Sequence, residues 1–106
     1  MANDQDKLEG LPSVDNLAGL ELYGEGFEPE AWVEHTPDRT TTVAIYYQMA
    51  IDYGGISPTA ARKALDLFGD QAEEARAHPG RHPDIDRLFE VIDRGQYLSV
   101  RAVPRQ

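Results

Sequence analysis

Between His78 and Pro83 the chain reads His-Pro-Gly-Arg-His-Pro, and no helix or strand passes through such a run. Proline offers no amide hydrogen, clashes with the preceding helical turn, and pushes the residue before it out of helical geometry. A helix arriving from the N-terminal side must stop near His78. Another is free to restart at Pro83, whose fixed φ suits a first helical position. The flanks agree. Upstream, Ser57 is a cap, Pro58 opens the helix, and Ala61, Ala64, Leu65, Phe68, Ala72 and Ala75 form one apolar stripe. Gly69 weakens that helix by about 1 kcal/mol relative to alanine and is a candidate kink. Downstream, Ile85, Leu88, Phe89 and Ile92 share a face, and Gly95 stands just past the end.

The rest of the chain supplies strands. Thr40 to Tyr47 is β-branched and aromatic, yet Val43, Tyr46, Tyr47 and Ala50 recur at helical spacing before Gly54-Gly55. The spacing predicts a helix over Thr42–Tyr53. Ser13 is positioned to cap a single helical turn through Ala18, and Leu20–Tyr23 alternates as a strand. Gly24-Glu25-Gly26 suits a hairpin needing positive φ, Pro29 marks an edge or bulge, and Ala31–His35 is the returning strand. Tyr97–Val103 alternates again. The order ββ-ααα-β predicts an α+β fold, a small antiparallel sheet of about three strands packed on one side by about three helices. Residues 1–10 read as a flexible acidic tail and residues 11–106 as a single domain.

Composition removes whole classes of chemistry. Without cysteine there is no disulfide, thiolate nucleophile or cysteine-bearing zinc site. No apolar run reaches the roughly 20 residues that span a bilayer, and residues 1–10 lack the sectors of a signal peptide. A cytoplasmic protein is expected. The net charge of −9 argues against nucleic-acid and anionic-membrane binding. Residues 1–30 alone carry −7, whereas the stretch from Arg81 onward is slightly positive, five arginines against four acids. Such asymmetry suits self-association or a basic protein partner, and equally a solvated acidic face.

Three segments, LPSVDNLAGLEL (11–22), GGISPTAARKALDLF (54–68) and ARAHPGRHPDIDRLFEVI (75–92), carry a resemblance. They resemble a family of short, uncharacterised bacterial proteins, a domain of unknown function. Its most recognisable segment is His-Pro-Gly-basic-His-Pro-x-Ile-Asp-Arg-Leu. Here that segment runs unbroken from His78 to Leu88, with Arg81 at the basic place and Asp84 at the variable one. The resemblance implies a shared fold and brings no activity with it.

The same loop is the one place where chemistry would concentrate. His78, His82, Asp84 and Asp86 lie close together, and imidazole with carboxylate suits a divalent metal ion or acid–base catalysis. The intervening prolines break the helix that would align a His-x-x-x-His pair. Every residue also has an architectural reading: Pro79-Gly80 ends one helix, Pro83 starts the next, His82 caps it, and Asp84 and Asp86 face its positive end. Arg76, Arg81 and Arg87 form an alternative anion-binding group. His35, on the face of Ala31 and Val33, reads as a hydrogen-bonded histidine at the core edge, and becomes a third metal ligand only beside His78 and His82. Tyr46, Tyr47, Tyr53, Tyr97 and Trp32 read as core aromatics rather than a pocket.

The favoured functional reading is a non-enzymatic binding module that self-associates as a homodimer, with no cofactor. The alternative is a small metal-binding or acid–base enzyme centred on the His78–His82 loop, holding a divalent metal ion. Because residues 1–10 contain no periodic apolar position, deleting them is expected to leave the melting temperature unchanged. A loss of several degrees in a thermal melt would show that this segment packs.

Overall fold

The computed structural model describes residues 10–106. The expected acidic tail lies outside the described residues except for Gly10. Three strands, β1 (Leu17–Tyr23), β2 (Ala31–Glu34) and β3 (Ser99–Pro104), form one antiparallel sheet in the order β2-β1-β3. Between β2 and β3 run a 3-10 turn (Pro37–Arg39) and four helices: α1 (Thr40–Tyr53), α2 (Pro58–Phe68), α3 (Asp70–Ala77) and α4 (Pro83–Arg94). The α+β class, the three strands and the placement of the helices between the second and third strands match expectation.

The helices cover one face of the sheet. Leu20 and Leu22 of β1 and Val33 of β2 point into a core shared with Val43, Ile45, Tyr46 and Met49 of α1 and Leu88 and Val91 of α4, all fully buried. Alternation along the strands then leaves Glu21, Tyr23, Trp32, Glu34 and Arg101 on the other face, where no side chain is fully buried. Among the described residues both edges, β2 and β3, have no further strand partner.

Several boundaries move for identifiable reasons. The stripe from Ala61 to Ala75 is carried by two helices, because Gly69 adopts φ 61°, ψ −125° and breaks the ladder outright. That geometry is open to glycine and strained for any other residue. Ser57 does cap α2, accepting from the Ala60 amide at 3.1 Å. The helical turn expected from Ser13 to Ala18 is absent. Ser13 Oγ accepts from the Asp15 amide instead, and β1 begins three residues before Leu20. Pairing with β3 draws Leu17 to Gly19 into the sheet, a tertiary effect that local propensity does not contain. Gly24 and Gly26 have no positive φ, so the β1–β2 connection is an open loop rather than a tight hairpin, and Pro29 lies in that loop before β2. Helix α1 starts at Thr40, two residues earlier than its apolar spacing requires, because the 3-10 turn feeds directly into it.

The aromatic side chains divide. Tyr46 is fully buried and Tyr47 packs at the core margin, whereas Trp32, Tyr53 and Tyr97 are exposed, against the expectation of a common aromatic core. Tyr97 stays outside because its hydroxyl donates to the Gly54 carbonyl at 2.7 Å, pinning the end of α1 to the approach of β3. Only Leu98 of that approach is buried, bridging Ile56, and the strand proper starts at Ser99.

The His78–Pro83 connector behaves as its composition demands. Gly80 has φ 93°, and its amide donates to Asp86 Oδ2 at 2.8 Å, closing the loop onto the first turn of α4. His82 occupies the cap position of α4 without a side-chain capping bond, and His78 is exposed. His82 therefore does not contribute the cap that sequence reading assigned to it. We expect Gly80→Val to destabilise the fold by more than about 1–2 kcal/mol, the penalty of placing an L-residue at left-handed φ. His78→Ala and His82→Ala should each move the melting temperature far less. Thermal melts of the three variants test this ranking, and a histidine variant as damaging as Gly80→Val would reverse it.

Candidate functional site

The largest concentration of chemistry lies where the 3-10 turn and α1 meet α4, and its centre is a buried carboxylate. Asp84, in the first turn of α4, is 7% exposed, yet it carries a charge that burial alone would forbid. Two guanidiniums compensate it. Arg87, one turn along α4, holds Oδ1 through Nη1 at 2.9 Å, and Arg39 from the 3-10 turn pairs with Oδ2. Tyr46 of α1 completes the group from below. Its hydroxyl donates to the Asp84 carbonyl and accepts from Arg87 Nη1 at 3.2 Å, while the Arg87 guanidinium lies 5.9 Å from the centre of its ring. Burial pushes the Tyr46 hydroxyl up to about 12, the nearby Arg87 charge opposing the shift. The phenol is a fixed donor at any physiological pH.

Above this network opens a cleft of about 570 Å³. Arg39, Arg81, His82, Asp84 and Arg87 line it on the helical side, with Trp32 of the edge strand β2 opposite. Rim contacts are looser. Arg81 Nη1 reaches Glu74 Oε1 at 3.0 Å, and His82 Nε2 lies 3.3 Å from Glu74 Oε2. The Arg81 bond, with help from His82, holds the Glu74 carboxyl below the usual carboxylate range.

A comparison of sequences finds the family described as "Uncharacterized protein conserved in bacteria" (DUF2322) over residues 4–102. The chain belongs to this family. No curated protein and no solved structure matches it. Membership of DUF2322 covers nearly all of the described fold: β1, β2, the four helices and the cleft fall within the family's span, and β3 as far as Ala102.

In this DUF2322 chain the four catalytic candidates separate. His82 and Asp84 line the cleft, whereas His78 is exposed at the end of α3 and Asp86 faces a shallow cavity beside Arg76, Pro79 and Phe89. The anion-binding trio separates too. Arg76 stacks 5.4 Å from the centre of the Phe89 ring at that second cavity, leaving Arg81 and Arg87 in the cleft. His35 is the core-edge histidine that sequence reading favoured. Nδ1 lies 2.8 Å from the Leu17 carbonyl, which only accepts, so Nδ1 bears the proton and Nε2 accepts from the Thr40 hydroxyl at 3.0 Å. Its one lone pair is engaged. Among the described residues no group of three His, Asp or Glu side chains is placed to hold a metal ion, so His35, His78 and His82 form no triad.

Two members of the site escaped sequence reading. Arg39 lies in the turn before α1, where sequence reading placed no functional residue, and Tyr46 looked like one core aromatic among several. Their link to Asp84 spans about forty residues of chain and leaves no local signal. The Asp84–Arg87 spacing of three was visible, but a surface pair gives the same spacing.

Tyr46→Phe is expected to cost about 1–3 kcal/mol, because it strips a partner from a buried carbonyl. Since the folded hydroxyl titrates above the ordinary value of 10, the folded state keeps a proton that the unfolded chain loses. The wild type should accordingly lose stability as pH rises from 10 towards about 12, and Tyr46→Phe should show a shallower loss there. Urea melts across that window check both. Equal slopes would mean that Tyr46 is accessible to water.

Proposed function

We propose that this member of the family is a non-enzymatic interaction module that works as a homodimer, joined across the open face of its sheet. The observation that carries this reading is Trp32. It is 44% exposed on a face that no helix covers. Its ring edge reaches over Gly19 of β1: a Cβ at Gly19 would stand 2.6 Å from the ring. Glycine at that position gives the largest side chain of the chain room to pack along the sheet. Val103, opposite Gly19 on β3, extends the apolar surface. The Arg101–Glu21 ion pair, 2.8 Å, stands in the same cross-strand row as Trp32, and Glu34 in the row of Gly19 and Val103, so paired charge and apolar surface share the face.

The enzyme alternative is weakened by the separation of His78 from the cleft that His82 lines. No helix among the described residues is long and apolar enough to cross a membrane.

Light scattering at micromolar concentration should return twice the 11.8 kDa mass of one chain. Trp32→Glu should return a single mass with an unchanged melting profile in dilute protein. Because each copy carries −9, association should strengthen as salt screens the repulsion. A single-chain mass for the wild type throughout a dilution series, at low and high salt, refutes the dimer.

A further inference from the structure

We propose that the cleft between the 3-10 turn and α4 binds a small organic anion, a carboxylate or phosphate ester, whose charged head sits on Arg39 and Arg87. This is independent of how the sheet associates.

The first ground is pre-organisation. Arg39 and Arg87 are held by the buried carboxylate of Asp84, and Arg87 is steadied further by Tyr46. Each guanidinium spends one terminal nitrogen on Asp84, Nη2 in Arg39 and Nη1 in Arg87. The other terminal nitrogen and Nε of each have no protein partner among the described residues. No buried side-chain nitrogen lacks a partner, so these donors open to solvent, and both residues line the cleft. Two rigid forks of free N–H donors side by side match the oxygens of a carboxylate or phosphate. An anion arriving here would not have to immobilise either side chain.

The second ground is charge placement. The lining carries Arg39, Arg81 and Arg87 against Asp38 and Asp84, and with Glu74 paired to Arg81 at the rim the cleft is locally balanced in a chain of −9, which concentrates its cations at Arg39 and Arg87. Asp38 is already engaged by the Thr36 hydroxyl at 2.6 Å. The third is size and wall chemistry. A cavity of about 570 Å³ fits a small molecule. Pro83 and Ile85 contribute carbon surface beside the arginines, so the ligand should have an apolar body behind its charged head.

Isothermal titration calorimetry reads binding without a reporter side chain. The protein would be titrated at one fixed concentration with phenyl phosphate, with benzoate and with inorganic phosphate. A saturable change is expected for at least one organic probe, about tenfold tighter than for inorganic phosphate. Whichever of phenyl phosphate and benzoate binds more tightly identifies the head group. Arg39→Gln, which leaves Asp84 its Arg87 partner, should weaken binding by about tenfold or more, whereas Arg76→Gln should leave it unchanged. Amide NMR shifts on the wild type should map to residues 38–42 and 81–87, a readout that needs no variant. Absence of saturation together with absence of these shifts overturns the proposal, as does undiminished binding by a folded Arg39→Gln. Inorganic phosphate binding as tightly as phenyl phosphate overturns the assignment of an organic ligand.

Discussion

A single buried carboxylate ties the sheet-proximal and distal parts of this molecule together. Asp84 has to be compensated wherever it is buried, and the two cations that compensate it come from different places in the chain: Arg87 from its own helix, Arg39 from the turn that follows β2. The Tyr46 hydroxyl, donated from α1 to the Asp84 backbone, fixes the third side. If any one of these groups is removed, a charge or a carbonyl is stranded in the interior, which is costlier than never having buried it. The network thus specifies where the start of α4 sits against the start of α1, a choice that interchangeable apolar contacts between Leu88, Val91, Val43 and Met49 would leave less sharply defined.

The parts of the fold that could be read from sequence are those whose cause is local. Ser57-Pro58, Gly54 and Gly95 each mark a helix end by a side-chain bond or by a left-handed backbone, and all of them stand where expected. The helical α1 could be read against its β-branched composition because four apolar residues kept a helical spacing. What sequence reading lost is non-local. Leu17 to Gly19 become strand because β3 and the end of β2 lie beside them, and Tyr97 is drawn outward by a carbonyl more than forty residues earlier. Gly69 was legible as a weak point, but nothing local distinguishes a kink from the complete break that its positive φ makes.

For the candidate site the same division holds. His82, Asp84 and Arg87 could be named because they cluster in a loop of unusual composition, and the cleft does lie there. His78 and Asp86 were grouped with them by proximity in sequence, yet a helix start sends successive residues in different directions, and each faces elsewhere. Arg39 joins them through space alone. Charge shows the same contrast between composition and geometry: a strongly acidic chain gathers three of its arginines around one cleft.

The strand order has a bearing on how the molecule comes into being. The central strand β1 is near the beginning of the described chain, and one of its two neighbours is the last strand, with Leu22 paired to Val100 and Leu17 to Pro104. Closing that pairing means enclosing every helix in a single loop of nearly eighty residues, among the most expensive contacts in chain entropy that a domain this small can make. During synthesis β1 and β2 emerge early with one edge of the middle strand bare, and they stay so until the final residues arrive. The sheet is therefore completed last, from the C-terminal end.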